Sequence, residues 1–339
     1  MFTPKKSIKS SFEKIIEAIK SENPIEAQNL ISQMSQSELS KIDYKGNTAL
    51  IFAAFNGLAK VCEMLISKMS DQAINQINKY GNTALTLAAR KDLAKVCKML
   101  IPKMSNQAIN QVSDDGFTAL IWAIDNGLQK ACEMLIPKMS DQAINAIEKT
   151  YGHTALTLAA GHGLAKVCEM LIPKMNEQAI NAVEKTYGNT ALTFAARKGL
   201  EKVCELLISK MSDQAINAVE KTYGNTALIW AIDNGLEKVY EMLINKMSNQ
   251  AINQVNNDGN TALTFAARKG LEKVCELLIS KMSDQAINAV EKTYGNTALI
   301  WAIDNGLEKV YEMLINKMSN QAINQVNNDG NTAFTLAAS

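Results

Sequence analysis

Apolar residues fall along this chain in two alternating patterns. Almost wholly apolar runs, such as Ala49-Leu50-Ile51-Phe52-Ala53-Ala54, precede stretches that are apolar on one side only, as at Leu58, Val61, Cys62, Leu65 and Ile66. The second spacing, i, i+3, i+4, i+7 and i+8, is one face of an α-helix. Each pattern predicts one helix of a hairpin. Thr48 stands just before the run, where its hydroxyl can cap the first helix. Gly57 supplies the left-handed residue that ends it. No stretch alternates with period two, so no ordinary strands are predicted.

The hairpin recurs. A Gly-x-Thr-Ala-Leu/Phe motif begins at Gly46, Gly81, Gly116, Gly152, Gly188, Gly224, Gly259, Gly295 and Gly330, at intervals of 35 or 36 residues. Such a period is the signature of a repeat architecture. Pro102, Pro137 and Pro173 stand where the first unit has Ser67, so the second helix is expected to stop or kink near Ile66 and its equivalents. The segment Met69-Ser70-Asp71-Gln72-Ala73-Ile74-Asn75 then predicts a short third helical turn. Residues 12–45 keep the apolar spacing at Ile15, Ile16, Ile19, Ala27, Leu30, Ile31 and Met34 but lack the Gly-x-Thr-Ala start. They read as a worn repeat with a charged surface, as an N-terminal cap requires. The expected organisation is a tail over 1–11, a degenerate capping repeat over 12–45, eight repeats over 46–329, and a partial ninth over 330–339 with its first helix only. That last unit reads either as a truncation or as an open end that associates with another molecule.

These residues resemble the ankyrin repeat family: Gly followed by Thr-Ala-Leu, an Ala-Ala pair, a second Gly, and an amphipathic helix ending Leu-Ile. The resemblance covers roughly residues 12 to 339. It implies an all-α solenoid of stacked helix-turn-helix units that binds partners on a concave face made by finger tips and first helices. Two departures stand out. The family's Thr-Pro-Leu-His is Thr-Ala-Leu-Thr or Thr-Ala-Leu-Ile here, and the period exceeds the usual ~33 residues. The extra residues are placed in the loop after the second helix. Near-uniform arrays of this kind also resemble those of bacteria that live inside eukaryotic cells, where family members are often secreted to engage host proteins. The implied location is the cytoplasm, or a host cytosol reached by a non-classical route.

Composition narrows the partner. Net charge is +1, with 35 basic and 34 acidic residues. A nucleic-acid binder needs excess cations to displace phosphate counterions, and an anionic membrane surface needs the same. No run approaches the ~18 apolar residues that span a bilayer. Lys5, Lys6 and Lys9 are followed by no apolar stretch, so no signal peptide is read. The expected partner is a protein, with no nucleic acid and no membrane insertion.

Candidate chemistry is sparse. Cys62, Cys97, Cys132, Cys168, Cys204 and Cys275 occupy one position of the second helix, which Tyr240 and Tyr311 take in two units. Stacked helices lie ~8–10 Å apart, beyond the ~7 Å reach of a disulfide. Buried free thiols are expected, as in a reducing compartment. His153 and His162, the only histidines, lack a third metal ligand. No P-loop, Gly-x-Ser-x-Gly, His-Glu-x-x-His or Cys-x-x-Cys motif is present. The expectation is a protein with no catalytic residues, no cofactor and no metal.

Residues 188–258 and 259–329 are identical letter for letter. Specificity is therefore expected in the divergent N-terminal half. Trp122, Trp230 and Trp301 occupy a position that is always apolar and are read as core. Arg197, Asp233, Arg268 and Asp304 alternate in sign and are expected to pair. The resemblance maps a partner face onto the residues flanking each motif Gly and onto the end of each first helix. The candidate partner-binding residues are Phe55, Tyr80, Arg90, Lys91, Phe117, Tyr151, His153 and Tyr187. Aromatic rings there would supply contact area at low entropy cost. The chain is expected to be a monomer; the competing reading is a structural element that self-associates through the uncapped C-terminal repeat face.

Overall fold

The computed structural model describes residues 9–338, so most of the tail over 1–11, with Lys5 and Lys6, lies outside the described residues. The described residues are helical and group into two compact units. Of the described residues, one takes those up to Thr150 with Pro173–Met175, and the other Tyr151–Ile172 with those from Asn176 onward. Among the described residues, isolated antiparallel bridges join Val219 with Thr226 and Val290 with Thr297.

Each repeat builds its hairpin from the residues that predict it. In the first repeat the helix Ala49–Phe55 begins where the Thr48 hydroxyl accepts from the Ile51 N–H at 3.2 Å. Where a second threonine stands three residues on, the cap is reciprocal: the Thr83 hydroxyl accepts from Thr86 N–H, and the Thr86 hydroxyl accepts from Thr83 N–H. Threonine at both places satisfies two N–H groups that a helix start leaves free. Ala49, Leu50, Ile51, Ala53 and Ala54 are all buried. The helix turns at Gly57, whose φ is 72°, and Asp92 holds the same left-handed conformation (φ 57°) in the next repeat.

The second helix, Ala59–Lys68, buries Val61, Cys62, Leu65 and Ile66 and leaves its other side to solvent. Full burial of a residue of this size contributes ~1.5–3 kcal/mol, so each repeat adds a stripe of core. Within the first unit Ala49–Phe55 packs on Ala84–Arg90, which packs on Ala119–Asp125; second helices stack likewise. The second unit repeats the scheme from Ala155–Gly161 through Ala298–Asp304, on which Ala333–Ala337 lies.

The end of the second helix departs from expectation. Where Ser67, Ser209, Asn245 or Ser280 stands, the helix runs on to Lys68, Lys210, Lys246 or Lys281. It stops early before proline, at Leu100, Leu135 and Leu171, and without proline at Ile315 in the last complete repeat. Proline lacks the N–H that would continue the ladder, and after two of the three a 3-10 turn follows, Ile136–Lys138 and Ile172–Lys174. The short third helix forms in every repeat that has the segment, as in Asp71–Ile74, capped by Ser70. Ahead of the first motif Gly, Ser11–Lys20, Pro24–Gln33 and Gln36–Leu39 follow the same order of long, long and short helix.

Polar side chains tie repeats together. Asn78 Nδ2 donates to Asn47 Oδ1 at 2.9 Å in a buried contact, repeated at Asn256–Asn225 and Asn327–Asn296. Asn75 Oδ1 accepts from the Ser105 N–H, and Asn217 Oδ1 from that of Ser248. On the second-helix surface Lys95, Lys202, Lys238 and Lys309 pair with Glu63, Glu169, Glu205 and Glu276 of the preceding repeat. The abundance of Asn and Lys thus has structural uses. Among the described residues, no helix is long and apolar enough to cross a membrane.

Candidate functional site

Every repeat opens on a tight turn that ends at the motif Gly. One side chain staples it. Asn78 Oδ1 accepts from the N–H groups of Tyr80 (3.0 Å) and Asn82 (2.9 Å). In a longer turn the carboxylate of Glu184 accepts from those of Thr186 (2.8 Å), Tyr187 (2.7 Å) and Asn189 (3.0 Å). Acceptor length tracks turn length. Asp43, Asn78, Ser113, Asn256 and Asn327 stand three residues before the Gly, whereas Glu148, Glu184, Glu220 and Glu291 stand four before it. The difference between periods of 35 and 36 therefore sits in this turn. Burial would raise the Glu184 pKa, but the N–H groups of Asn189, Tyr187 and Thr186 outweigh it and hold the carboxyl below its ordinary value. Gly81 is required where it stands: its φ is 73°, and a Cβ there would lie 3.0 Å from the Val112 carbonyl.

Neighbouring turns also join through their backbones. Lys79 N–H donates to the Lys45 carbonyl at 2.9 Å and Lys185 N–H to that of Tyr151 at 2.8 Å. The residue before the Gly is thus held by its backbone while its side chain projects. Tyr80 is 47% exposed, Tyr151 53% and Tyr187 54%. Phe55, the last residue of its helix, is 52% exposed.

In the first unit these residues line grooves between turns and first helices. A groove of about 270 Å³ is walled by Phe52, Phe55, Leu87, Tyr44 and Tyr80, with Lys20, Lys45 and Arg90 at its edges. Each cation lies against a ring: Lys20 over Phe52 (4.8 Å), Lys45 between Tyr44 (5.5 Å) and Tyr80 (5.7 Å), Lys91 over Phe55 (5.8 Å), and Arg90 over Trp122 (5.2 Å). The phenols of Tyr80 and Tyr44 raise the pKa of the Lys45 ammonium. A second groove, of about 350 Å³, lies between Tyr80, Arg90, Asp114, Asp115, Phe117 and Trp122. There Phe117 stacks on Trp122 with centroids 4.3 Å apart, so this ring is half-buried rather than projecting.

The second unit holds the remaining candidates. His153 and Tyr187 line a groove of about 460 Å³ with His162, Phe194, Arg197 and Tyr223. Both histidines therefore face one cavity. The Tyr151 ring lies 6.1 Å from that of His153. Among the described residues, no cluster of three His, Cys, Asp or Glu side chains could hold a metal ion. The six thiols are buried and unbridged, and burial pushes the pKa of each up to about 12.

Two sequence expectations change here. Trp122, Trp230 and Trp301 are half-buried, not core. The sixth position after the motif Gly faces the turn side, where Phe52, Trp122 and Phe194 line the grooves. Size was the available signal: the enclosed positions of the first helix carry Ala, Leu, Ile and Thr, and this one carries Phe or Trp in most repeats, with Leu at 87, 158 and 336. The indole Nε1 atoms of Trp230 and Trp301 are shielded from solvent with no hydrogen-bond partner, and Tyr223 and Tyr294 meet those rings edge-on. The alternating charges pair only in part. Asp233 engages Lys269 at 3.1 Å and Arg268 at 3.9 Å, while Arg197 lies over the rings of Phe194 and Trp230, each at 5.9 Å. Sequence reasoning missed Lys20 and Phe52 as groove residues, and it placed the positions of Tyr44 and Lys45, just before Gly46, on the partner face without choosing them as candidates.

Comparison with known proteins matches this architecture. A family model described as ankyrin repeats in three copies matches in overlapping registers, at residues 15–111, 69–147, 104–184, 139–218, 175–253, 210–289 and 247–327. The chain is 57% identical over 56 residues to an ankyrin repeat protein of Rickettsia bellii, and 61% identical over 60 residues to one of Rickettsia felis. These stretches are 16% and 18% of this chain, and span 10% and 19% of the relatives' own lengths. With hairpins capped by threonine, turned at glycine and joined turn to turn, and with that family model matching over most of its length, the chain belongs to the ankyrin repeat family.

Proposed function

We propose that this chain is a non-catalytic binding module that recognises a protein partner through the face shared by its turns and first helices. The observation that carries this reading is the set of half-exposed rings at Phe55, which ends a first helix, and at Tyr80, Tyr151 and Tyr187, on turns whose backbone groups are already engaged. Rings held this way lose little freedom on binding and offer large contact area. Phe55, Tyr80, Arg90, Lys91 and Phe117 form the contact surface of the first unit, and Tyr151, His153 and Tyr187 that of the second. The Rickettsia relatives support a bacterial source and, by extension, a host-directed role in a eukaryotic cytosol.

The test is affinity capture from eukaryotic cytosol with mass spectrometry, comparing wild type with a Phe55→Ala, Tyr80→Ala variant of matched helicity. A protein recovered by wild type and lost by the variant is the expected result. Equal recovery by both would remove these rings from the contact. Tyr80 is chosen over Phe117 because the latter is spent on Trp122.

A further inference from the structure

The geometry points to a specific ligand class for the groove between the turns at Gly46 and Gly81: an acidic peptide segment carrying a large apolar side chain. This inference rests on the protein-binding role proposed above and adds the chemistry of what is bound.

Charge is the first argument. Lys20, Lys45, Arg90 and Lys91 stand at or beside one groove, and among the described residues none of them forms an ion pair. On the second-helix surface, by contrast, Lys95, Lys202, Lys238 and Lys309 each have a glutamate at 2.6–3.0 Å. The one carboxylate in the groove wall, Asp43, is engaged by its own turn. It accepts from Lys45 N–H (2.9 Å), Asn47 N–H (2.7 Å) and Asn47 Nδ2 (3.1 Å). Stacking on rings fixes the cations without neutralising them, which leaves their charge to an incoming anion.

Shape is the second argument. The floor is apolar, made by Phe52, Phe55 and Leu87, and takes a side chain rather than a phosphate. On the far side of Tyr80 and Arg90 the next groove carries Asp114 and Asp115. A nucleic-acid strand running along the turns would set its phosphates against those carboxylates. A short peptide can place its acidic residues on Lys20, Lys45 and Arg90 and stop before them.

The experiment selects a phage-displayed random peptide library on the full chain, then measures the recovered peptides by fluorescence anisotropy. Recovered sequences should be rich in Asp and Glu interleaved with Phe, Leu or Trp. Affinity should fall about tenfold or more on Lys20→Glu with Arg90→Glu, and should weaken with added salt. Both positions are exposed, so the fold should survive, as far-UV circular dichroism checks. If it does not, salt dependence on the wild-type chain decides. Basic or neutral consensus sequences, no enrichment, salt-insensitive binding, or displacement of the peptide by single-stranded DNA would each overturn the inference. The wider reading fails separately: it falls if Phe55→Ala with Tyr80→Ala leaves partner capture intact. It stands if that capture is lost while the selected peptides prove neutral.

Discussion

The N-terminal groove and the duplicated repeats use the same positions to opposite ends. In the groove, Lys20, Lys45 and Lys91 lie on the rings of Phe52, Tyr44, Tyr80 and Phe55 and, among the described residues, form no ion pair. In the duplicated repeats, Lys269 and Arg268 sit on Asp233, and Tyr223 and Tyr294 close edge-on against Trp230 and Trp301. The charges differ, unpaired in the groove and paired at Asp233 in the duplicated repeats, whereas Tyr223 and Tyr294 stay as exposed as Tyr80. The contrast therefore lies in which cations have a carboxylate and which rings rest on a tryptophan, not in how far the tyrosines project.

Substitutions can break that contrast. The largest effect is expected for Phe55→Ala with Tyr80→Ala: partner affinity should fall by at least about 2 kcal/mol, the scale of a hot spot. The midpoint of urea unfolding should hardly move, because both rings are half-exposed. Trp230→Ala should do the reverse, costing about 2 kcal/mol in urea unfolding and leaving capture unchanged. Trp230→Phe should cost less than Trp230→Ala, since it keeps the ring and removes a shielded N–H that has no partner.

Glu184 sharpens the comparison at the level of the turns. Glu184→Ala strands several N–H groups and should destabilise by about 1–3 kcal/mol. Its folded pKa lies below the ordinary 4.5, so the charged form is the one the fold favours. The contribution is therefore complete above pH 4.5 and fades as acid titrates the folded carboxylate. The gap between wild type and Glu184→Gln in urea should shrink over that acid range. A gap that widened in acid would contradict the stapled turn. The smallest effect belongs to Asp233→Asn, an exposed pairing worth about 0–1 kcal/mol and screened by salt.

Much of this was legible in the sequence. The period located every hairpin, and Thr48 and Gly57 marked the start and end of the first helix because capping and left-handed turns depend on local residue chemistry. The end of the second helix was misjudged because Pro102, Pro137 and Pro173 break it only where they stand. The exposed tyrosines were legible from their fixed place before the Gly. The groove was not, because its contacts join residues a whole repeat apart. Lys45 meets Tyr80, and Arg90 meets Trp122. Local periodicity carries no record of which long side chain bends toward which ring. Trp122 was misplaced for a related reason: an apolar position that never varies in kind looks like core whether it faces a second helix or the floor of a groove.

The thiols offer a clock. Six repeats each carry one cysteine at the same depth, protonated to about pH 12 and shut away from solvent. An alkylating reagent reaches such a group only when the surrounding helices part. Because the six are separated along the array, timed alkylation followed by peptide mass mapping reads the opening of six repeats from one sample. The repeats with Tyr240 and Tyr311 stay silent in that record. The same row that contributes only small apolar packing to the resting fold would therefore report where along the chain the array loosens first.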